Sequence, residues 1–240
     1  MAKDELFKGS GVRPFEFNDR VAEVFDDMLA RSVPSYAQVM GMIGELLARF
    51  LRSGDRVYDL GCSTGNTLLE LARRLEGIEL AFIGIDNSPA MIKKATRKAE
   101  LFSRSDRIRF IREDITRAGL DNPGAVILNY TLQFVAPARR RDFLDRVHAA
   151  LRVGGVLILS EKLIAPGPEL DRAFMDIHLD FKRDQGYSET EIARKREALE
   201  NVLVPLTAEE NLALLAEAGF REIETFSRWF NFVSMVAVKS

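Results

Sequence analysis

From Arg56 to Ser160 the chain alternates short, almost wholly apolar runs with longer segments whose apolar residues recur every three or four positions. The runs are RVYDL, LAFIGI, IRFIR, AVILNY and VLILS, and runs of that length and β-branched content predict buried strands. Between them, a helix is predicted from about Asn66 to Glu76, stopped by Gly77; a second opens at Ser88 with Pro89 in its first turn; a third carries Phe143, Leu144, Val147 and Leu151 and stops at Gly154-Gly155. Apolar strands alternating with helices predict an α/β fold: a mostly parallel sheet covered on both faces.

Both ends depart from that rhythm. Val21, Val24, Phe25, Met28 and Leu29, then Val39, Ile43, Leu46, Leu47 and Phe50 after the break at Pro34, predict two N-terminal amphipathic covering helices. Residues 169–203 read as wholly helical, an insertion in the alternation. Thr207 with Glu210 forms a capping box for a further helix ending at Gly219. REIETFSRWF and NFVSMVAVKS then predict an antiparallel hairpin closing the sheet.

A chain of 240 residues can bury a sizeable core as one domain, and no linker or repeat divides 1–240. A formal net charge of −2 gives no general attraction for polyanions and argues against direct nucleic-acid binding. The leading MAKDELFKGSGV lacks the apolar core of a secretory signal, and no apolar run is long enough to span a bilayer, so the expectation is a cytoplasmic protein without membrane contact. Cys62 is the single cysteine, and His148 and His178 lie far apart, so no local metal motif exists and no metal is expected.

Chemistry concentrates where strands end. In VYDLGCSTGNT the turn after the first strand offers Gly61 and Gly65, not the three glycines of a dinucleotide fingerprint. It fits the looser D-x-G-x-x-x-G turn of S-adenosylmethionine-dependent methyltransferases, with Ser63 where a middle glycine is usual. Asp86 ends the second strand and can accept from ribose hydroxyls, Asp114 follows the third within IRFIRED, and Asn129 ends the fourth. Each has a plainer reading, as βα turn, N-cap or strand-end turn residue, but four polar positions at four successive strand ends are harder to explain separately. Cys62 reads as a small residue tolerated in the turn, with no histidine base near it.

In GYSETEIARKREALENVL, Ser188 and Glu191 form a capping box. Ile192, Arg196, Leu199 and Leu203 then follow at helical spacing, which places Arg196 on an apolar face. A cation there either pairs with a protein carboxylate or snorkels, or clamps a ligand carboxylate. His178 reads as a packed, hydrogen-bonded histidine; Tyr36 as a ligand lid or simple packing; Arg139-Arg140-Arg141 as a solvated helix face.

With these residues assembled, the chain resembles the carboxy-S-adenosyl-L-methionine synthase family of the class I methyltransferase fold. The likeness runs from about Phe15 to Lys239 and is carried by FNDRVAEVFDDMLARSVPSY, VYDLGCSTGNT, IDNSPAMI, LNYTLQF, LSEK, DFKRDQGYSETEI with its following KR, LENV and the closing FNF. It implies a Rossmann-like seven-stranded sheet with a C-terminal antiparallel hairpin and a helical insertion over about 166–204. It implies that S-adenosyl-L-methionine and prephenate become carboxy-S-adenosyl-L-methionine, which can co-purify, and phenylpyruvate. A separate enzyme then uses the product to modify the tRNA wobble uridine. Contacts to the S-adenosylmethionine moiety are implied for Tyr36, Gly61, Cys62, Ser63, Asp86, Asn87, Asp114, Ile115 and Asn129, and to the new carboxylate for Arg196, in a homodimer. An ordinary small-molecule methyltransferase, a non-catalytic carboxy-S-adenosylmethionine-binding protein and a tRNA-binding modification subunit are the competing readings.

Overall fold

The computed structural model describes residues 2–8 and 15–240; Met1 and residues 9–14, part of the polar leading stretch, lie outside the described residues. Two helices come first, α1 (Asp19–Ser32) and α2 (Tyr36–Phe50). The alternation follows as β1 (Arg56–Leu60), α3 (Asn66–Arg74), β2 (Ala81–Asp86), α4 (Pro89–Leu101), β3 (Ile108–Arg112) and β4 (Ala125–Asn129). A 3-10 turn (Leu132–Phe134), α5 (Pro137–Ala150) and β5 (Val156–Lys162) complete it. Then come α6 (Pro168–Asp184), α7 (Glu189–Leu199), α8 (Ala208–Glu217), β6 (Glu222–Trp229) and β7 (Phe232–Val238).

The seven strands lie in the order β3-β2-β1-β4-β5-β7-β6. The first five are parallel, and β7 runs antiparallel to both β5 and β6. Strand order reverses between β1 and β4, so the crossovers leave a crevice above the carboxyl ends of these two strands. Successive residues of each central strand feed opposite layers, because side chains alternate across the pleat. Val57 and Ile127 join Ile43, Leu47, Leu68 and Leu71 on one face. Leu60 and Leu128 join Phe143, Leu144 and Leu215 on the other. Full burial of each such side chain stabilises by about 1.5–3 kcal/mol.

The N-terminal helices do cover something. Val21, Phe25 and Met28 of α1 pack on Ala90 and Met91 of α4. Asp26 ties the same helix to the turn after β1, accepting from Thr64 Oγ1 at 2.5 Å, Asn66 Nδ2 at 2.8 Å and Lys98 Nζ at 2.7 Å. Arg31 joins α1 to the insertion, donating from Nε to the Gln185 carbonyl at 2.8 Å and stacking 3.9 Å over Tyr187.

Three expectations need correction. The insertion is not one helical stretch: it breaks at Gly186 (φ 83°), restarts at the Ser188 capping box and ends at Leu199. Leu203 is therefore outside the helix, and the face of α7 that is buried carries Ile192, Lys195 and Ala198 while Arg196 is exposed. The arginine cluster is not uniformly solvated either. Arg140 is 1% exposed and donates to three carbonyls, of Val135 (2.9 Å), Gln133 (3.2 Å) and Val204 (2.7 Å), which pins the chain after the insertion to the turn after β4. Among the described residues no helix is long and apolar enough to cross a membrane.

Candidate active site

The turn between β1 and α3 is built on three left-handed residues, Gly61 (φ 82°), Ser63 (φ 46°) and Gly65 (φ 78°). Gly61 and Cys62 both donate backbone N–H groups to the Ile85 carbonyl, at 2.8 and 3.1 Å, which draws the turn against the end of β2. A Cβ at Gly61 would lie 2.4 Å from Thr131 Cγ2, and one at Gly65 would lie 2.7 Å from Phe110 Cζ. Glycine is thus required twice over, by backbone angle and by space. Ser63 accepts the left-handed conformation between them, and its N–H is held by a carboxylate.

That carboxylate is Asp86. It accepts from Ser63 N through Oδ2 at 3.0 Å and from Ser88 N through Oδ1 at 2.9 Å, so it joins the glycine turn to the first turn of α4. Burial raises its pKa and the two N–H groups oppose the shift. Asp114 accepts from Thr116 N at 2.9 Å and Thr116 Oγ1 at 2.7 Å, and these bonds hold its carboxyl below the usual range. Asn129 turns its Nδ2 toward Met40 Sδ and Thr67 Oγ1, both at 3.4 Å, while its buried Oδ1 has no partner.

These groups line one cavity of about 610 Å³, within the roughly 300–1,000 Å³ usual for small-molecule sites. Of the residues singled out in the sequence, Tyr36, Gly61, Cys62, Ser63, Asp86, Asn87, Asp114, Ile115 and Asn129 all line it, and Arg196 does not. Arg196 nevertheless stands close enough for its charge to lower the pKa values of Lys162 and Lys182, which do. Burial pushes the Cys62 thiol well up, consistent with a small packed residue rather than a nucleophile. Burial, followed by the charge of Asp59, also raises the Tyr36 phenol, so Tyr36 faces the cavity as a neutral donor.

Three lysines at this cavity escaped the sequence reading, and the aspartate that opens the D-x-G-x-x-x-G turn has a charge state the sequence does not show. Asp59, within β1, is 1% exposed; burial first and the Asp86 charge second push its carboxyl up to about 8, and its Oδ2 has no partner. Lys162, Lys182, Lys195 and His178 also line the cavity. His178 Nε2 donates to the Ser32 carbonyl at 2.9 Å, and burial then Lys182 push the ring down to about 3, so the imidazole is neutral. It is the packed, hydrogen-bonded histidine expected, although it borders the cavity as well. One signal for Lys162 was available: a charged residue directly after the apolar strand VLILS.

The fit to S-adenosylmethionine rests on this chemistry: a close-approach turn without Cβ atoms, an acidic strand end beside it, and an orphaned amide oxygen on Asn129. Among the described residues no group of three or more metal-ligating side chains occurs. Sheet order, turn and acidic strand ends together define the S-adenosylmethionine-dependent methyltransferase fold. A methyltransferase domain profile matches residues 57–155. Human N-acetylserotonin methyltransferase, solved in complex with SAM, superposes with a TM-score of 0.63 at 18% identity, over 92% of this chain and 55% of that one. An O-methyltransferase family protein from Burkholderia thailandensis gives 0.66 at 18%, over 95% and 64%. These likenesses concern the fold alone. The sequence relatives are nearer: the carboxy-S-adenosyl-L-methionine synthase of Desulfotalea psychrophila is 52% identical over 99% of this chain and 97% of its own length. That of Nautilia profundicola is 44% identical over 99% and 100%. The chain belongs to the carboxy-S-adenosyl-L-methionine synthase family, and it is an enzyme.

Proposed function

We propose that the protein converts S-adenosyl-L-methionine and prephenate into carboxy-S-adenosyl-L-methionine and phenylpyruvate. Its product supplies the carboxymethyl donor with which a separate cytoplasmic enzyme completes the 5-oxyacetyl group of the tRNA wobble uridine. The observation that carries this reading is near full-length likeness to relatives bearing the synthase name, together with a cavity that pairs the glycine turn with a cationic wall. Both substrates are consumed. Prephenate gives up carbon dioxide and its ring hydroxide as it aromatises; the hydroxide takes a proton from the sulfonium methyl, and the methyl carbon bonds to the carbon dioxide. Atoms balance with one water released, and no oxidant or protein base is needed.

In this reading Gly61, Cys62, Ser63, Asp86, Asn87, Asp114, Ile115, Asn129 and Tyr36 hold the nucleoside and amino-acid parts of S-adenosylmethionine. A neighbouring arginine stabilises the carboxylate as it forms. That arginine is Arg196, whose planar fork suits a carboxylate. It is exposed on α7, so closure of the insertion or its delivery to a second subunit brings it to the reacting carbon. A homodimer fits the apolar side chains left at the surface near the insertion: Leu170 is 57% and Phe230 41% exposed, and Phe230 packs edge-on to Phe174 at 5.4 Å.

The test is mass spectrometry of purified protein incubated with S-adenosylmethionine, with and without prephenate. A carboxylated sulfonium appearing only with prephenate, in step with phenylpyruvate, supports the reading. An unchanged cofactor under both conditions refutes it.

A further inference from the structure

The insertion and the end of β5 bring three lysines to one cavity, and they are not equivalent. Lys195 is already compensated: its Nζ donates to Ser32 Oγ at 2.8 Å and lies 3.6 Å from Asp4 Oδ2, a carboxylate 1% exposed. Lys162 and Lys182 have no such partner. Among the described residues neither ammonium makes a hydrogen bond or an ion pair. Burial is the larger cause and neighbouring cations the smaller; together they push Lys182 down to about 7 and lower Lys162. For Lys162 the more distant Asp171 charge opposes the shift without forming an ion pair; cations held together without a paired counter-ion cost stability in the free protein, and such a cost persists where it serves a ligand.

We propose that Lys162 and Lys182 are the subsite for the two carboxylates of the carboxyl-donating substrate. Their position, on β5 and α6 rather than on the glycine turn, separates them from the residues that hold S-adenosylmethionine. Leu199, Leu203 and Phe232 line the same cavity and present apolar surface suited to a cyclohexadiene ring. A dicarboxylate with an apolar ring matches this arrangement of two unpaired cations beside an apolar wall. The ligand also neutralises the like charges that Lys162, Lys182, Lys195 and Arg196 impose on one another, so its binding raises the affinity of each ammonium for its proton. This inference rests on prephenate being the carboxyl source.

The test uses the full chain and its Lys162→Met, Lys182→Met and Lys182→Arg variants. Wild-type turnover of prephenate is measured first; its absence overturns the prephenate reading and this inference with it. Given turnover, each methionine variant is expected to raise the KM for prephenate about tenfold or more, the loss of one charge-assisted contact. S-adenosylmethionine affinity, read by calorimetry, stays within about twofold, because that ligand is held elsewhere. Lys182→Arg recovers most of the loss. Thermal stability of Lys182→Met is expected to equal or exceed the wild type, an outcome that a structural lysine does not give. An unchanged KM for prephenate overturns the subsite while leaving the reaction intact. An equal loss of both affinities assigns the cations to the carboxylate of S-adenosylmethionine and overturns it too. A fall in melting temperature with loss of both ligands assigns the lysine a structural role, with the same consequence.

Discussion

Replacing Gly61 by alanine probes how the glycine turn is made. Two separate costs arise. A side chain at φ 82° meets the left-handed penalty of about 1–2 kcal/mol. The new methyl also lies 2.4 Å from Thr131 Cγ2 and 2.6 Å from Thr131 Oγ1, so one of the two segments must move, at about 1–3 kcal/mol. Together the variant loses roughly 2–5 kcal/mol, within reach of a domain stability of about 5–15 kcal/mol. Thr131→Ala removes both colliding atoms and leaves only Cβ, 3.1 Å away. The double variant should therefore recover the steric part but not the backbone part. Chemical unfolding of wild type, both singles and the double closes the cycle, with an expected coupling of about 1–3 kcal/mol. S-adenosylmethionine affinity should fall in Gly61→Ala and recover partly in the double, since both residues line the cavity. Effects that add to within about 0.5 kcal/mol would refute the collision with Thr131 as the reason for glycine.

Other expectations are independent of this one. Asp59 stays protonated in the folded chain up to about pH 8 but ionises near pH 3.9 when unfolded, so its contribution to stability is present at low pH and is lost as pH rises through that window. Asp59→Asn keeps the shape of the protonated group and should raise the melting temperature at pH 8 by more than at pH 5.5; equal shifts at both would sink the assignment. Glu161, also pushed up to about 8, leaves a residual slope in that variant. Arg140→Met removes a buried guanidinium that donates to three carbonyls, of which that of Gln133 keeps the Val204 N–H, and should cost about 2–5 kcal/mol, whereas Arg141→Met at the surface should cost about 0.5 kcal/mol or less, both read by denaturant titration. Arg196→Ala should leave S-adenosylmethionine binding intact and weaken the carboxylated product by about 10- to 100-fold in calorimetry; equal loss of both would rule out the clamp.

Much of this molecule is determined locally and is legible in its order of residues. Strand runs, helix starts at Ser88, Ser188 and Thr207, and the terminal hairpin depend on neighbours within four positions, and they stand where the pattern puts them. The strand-end residues were legible for a topological reason: in a parallel sheet every βα turn lies at the same edge, so polar residues ending successive strands must converge. Gly61, Ser63, Asp86, Asp114 and Asn129 line one cavity on that account, and Tyr36, Cys62, Asn87 and Ile115, contacts that only the family resemblance implied, line it too.

Periodicity does not say which arc of a helix meets the protein, and only the tertiary structure decided that. Spacing predicted an apolar arc on α7 through Ile192, Arg196, Leu199 and Leu203; the helix ends before Leu203, and packing turns the buried arc from Arg196 toward Lys195 and Ala198, with Ile192 common to both. Arg140 looked like one of three solvated arginines until Val204, 64 residues away, supplied its third acceptor. Charge state is equally non-local. Asp59 is legible as the aspartate of the D-x-G-x-x-x-G turn but not as a neutral acid, which it becomes because the sheet removes its water and sets Asp86 nearby. Lys162, Lys182 and Lys195 form a group only because the insertion folds back over the end of β5, and desolvation by surrounding chain, not residue type, gives that group its character.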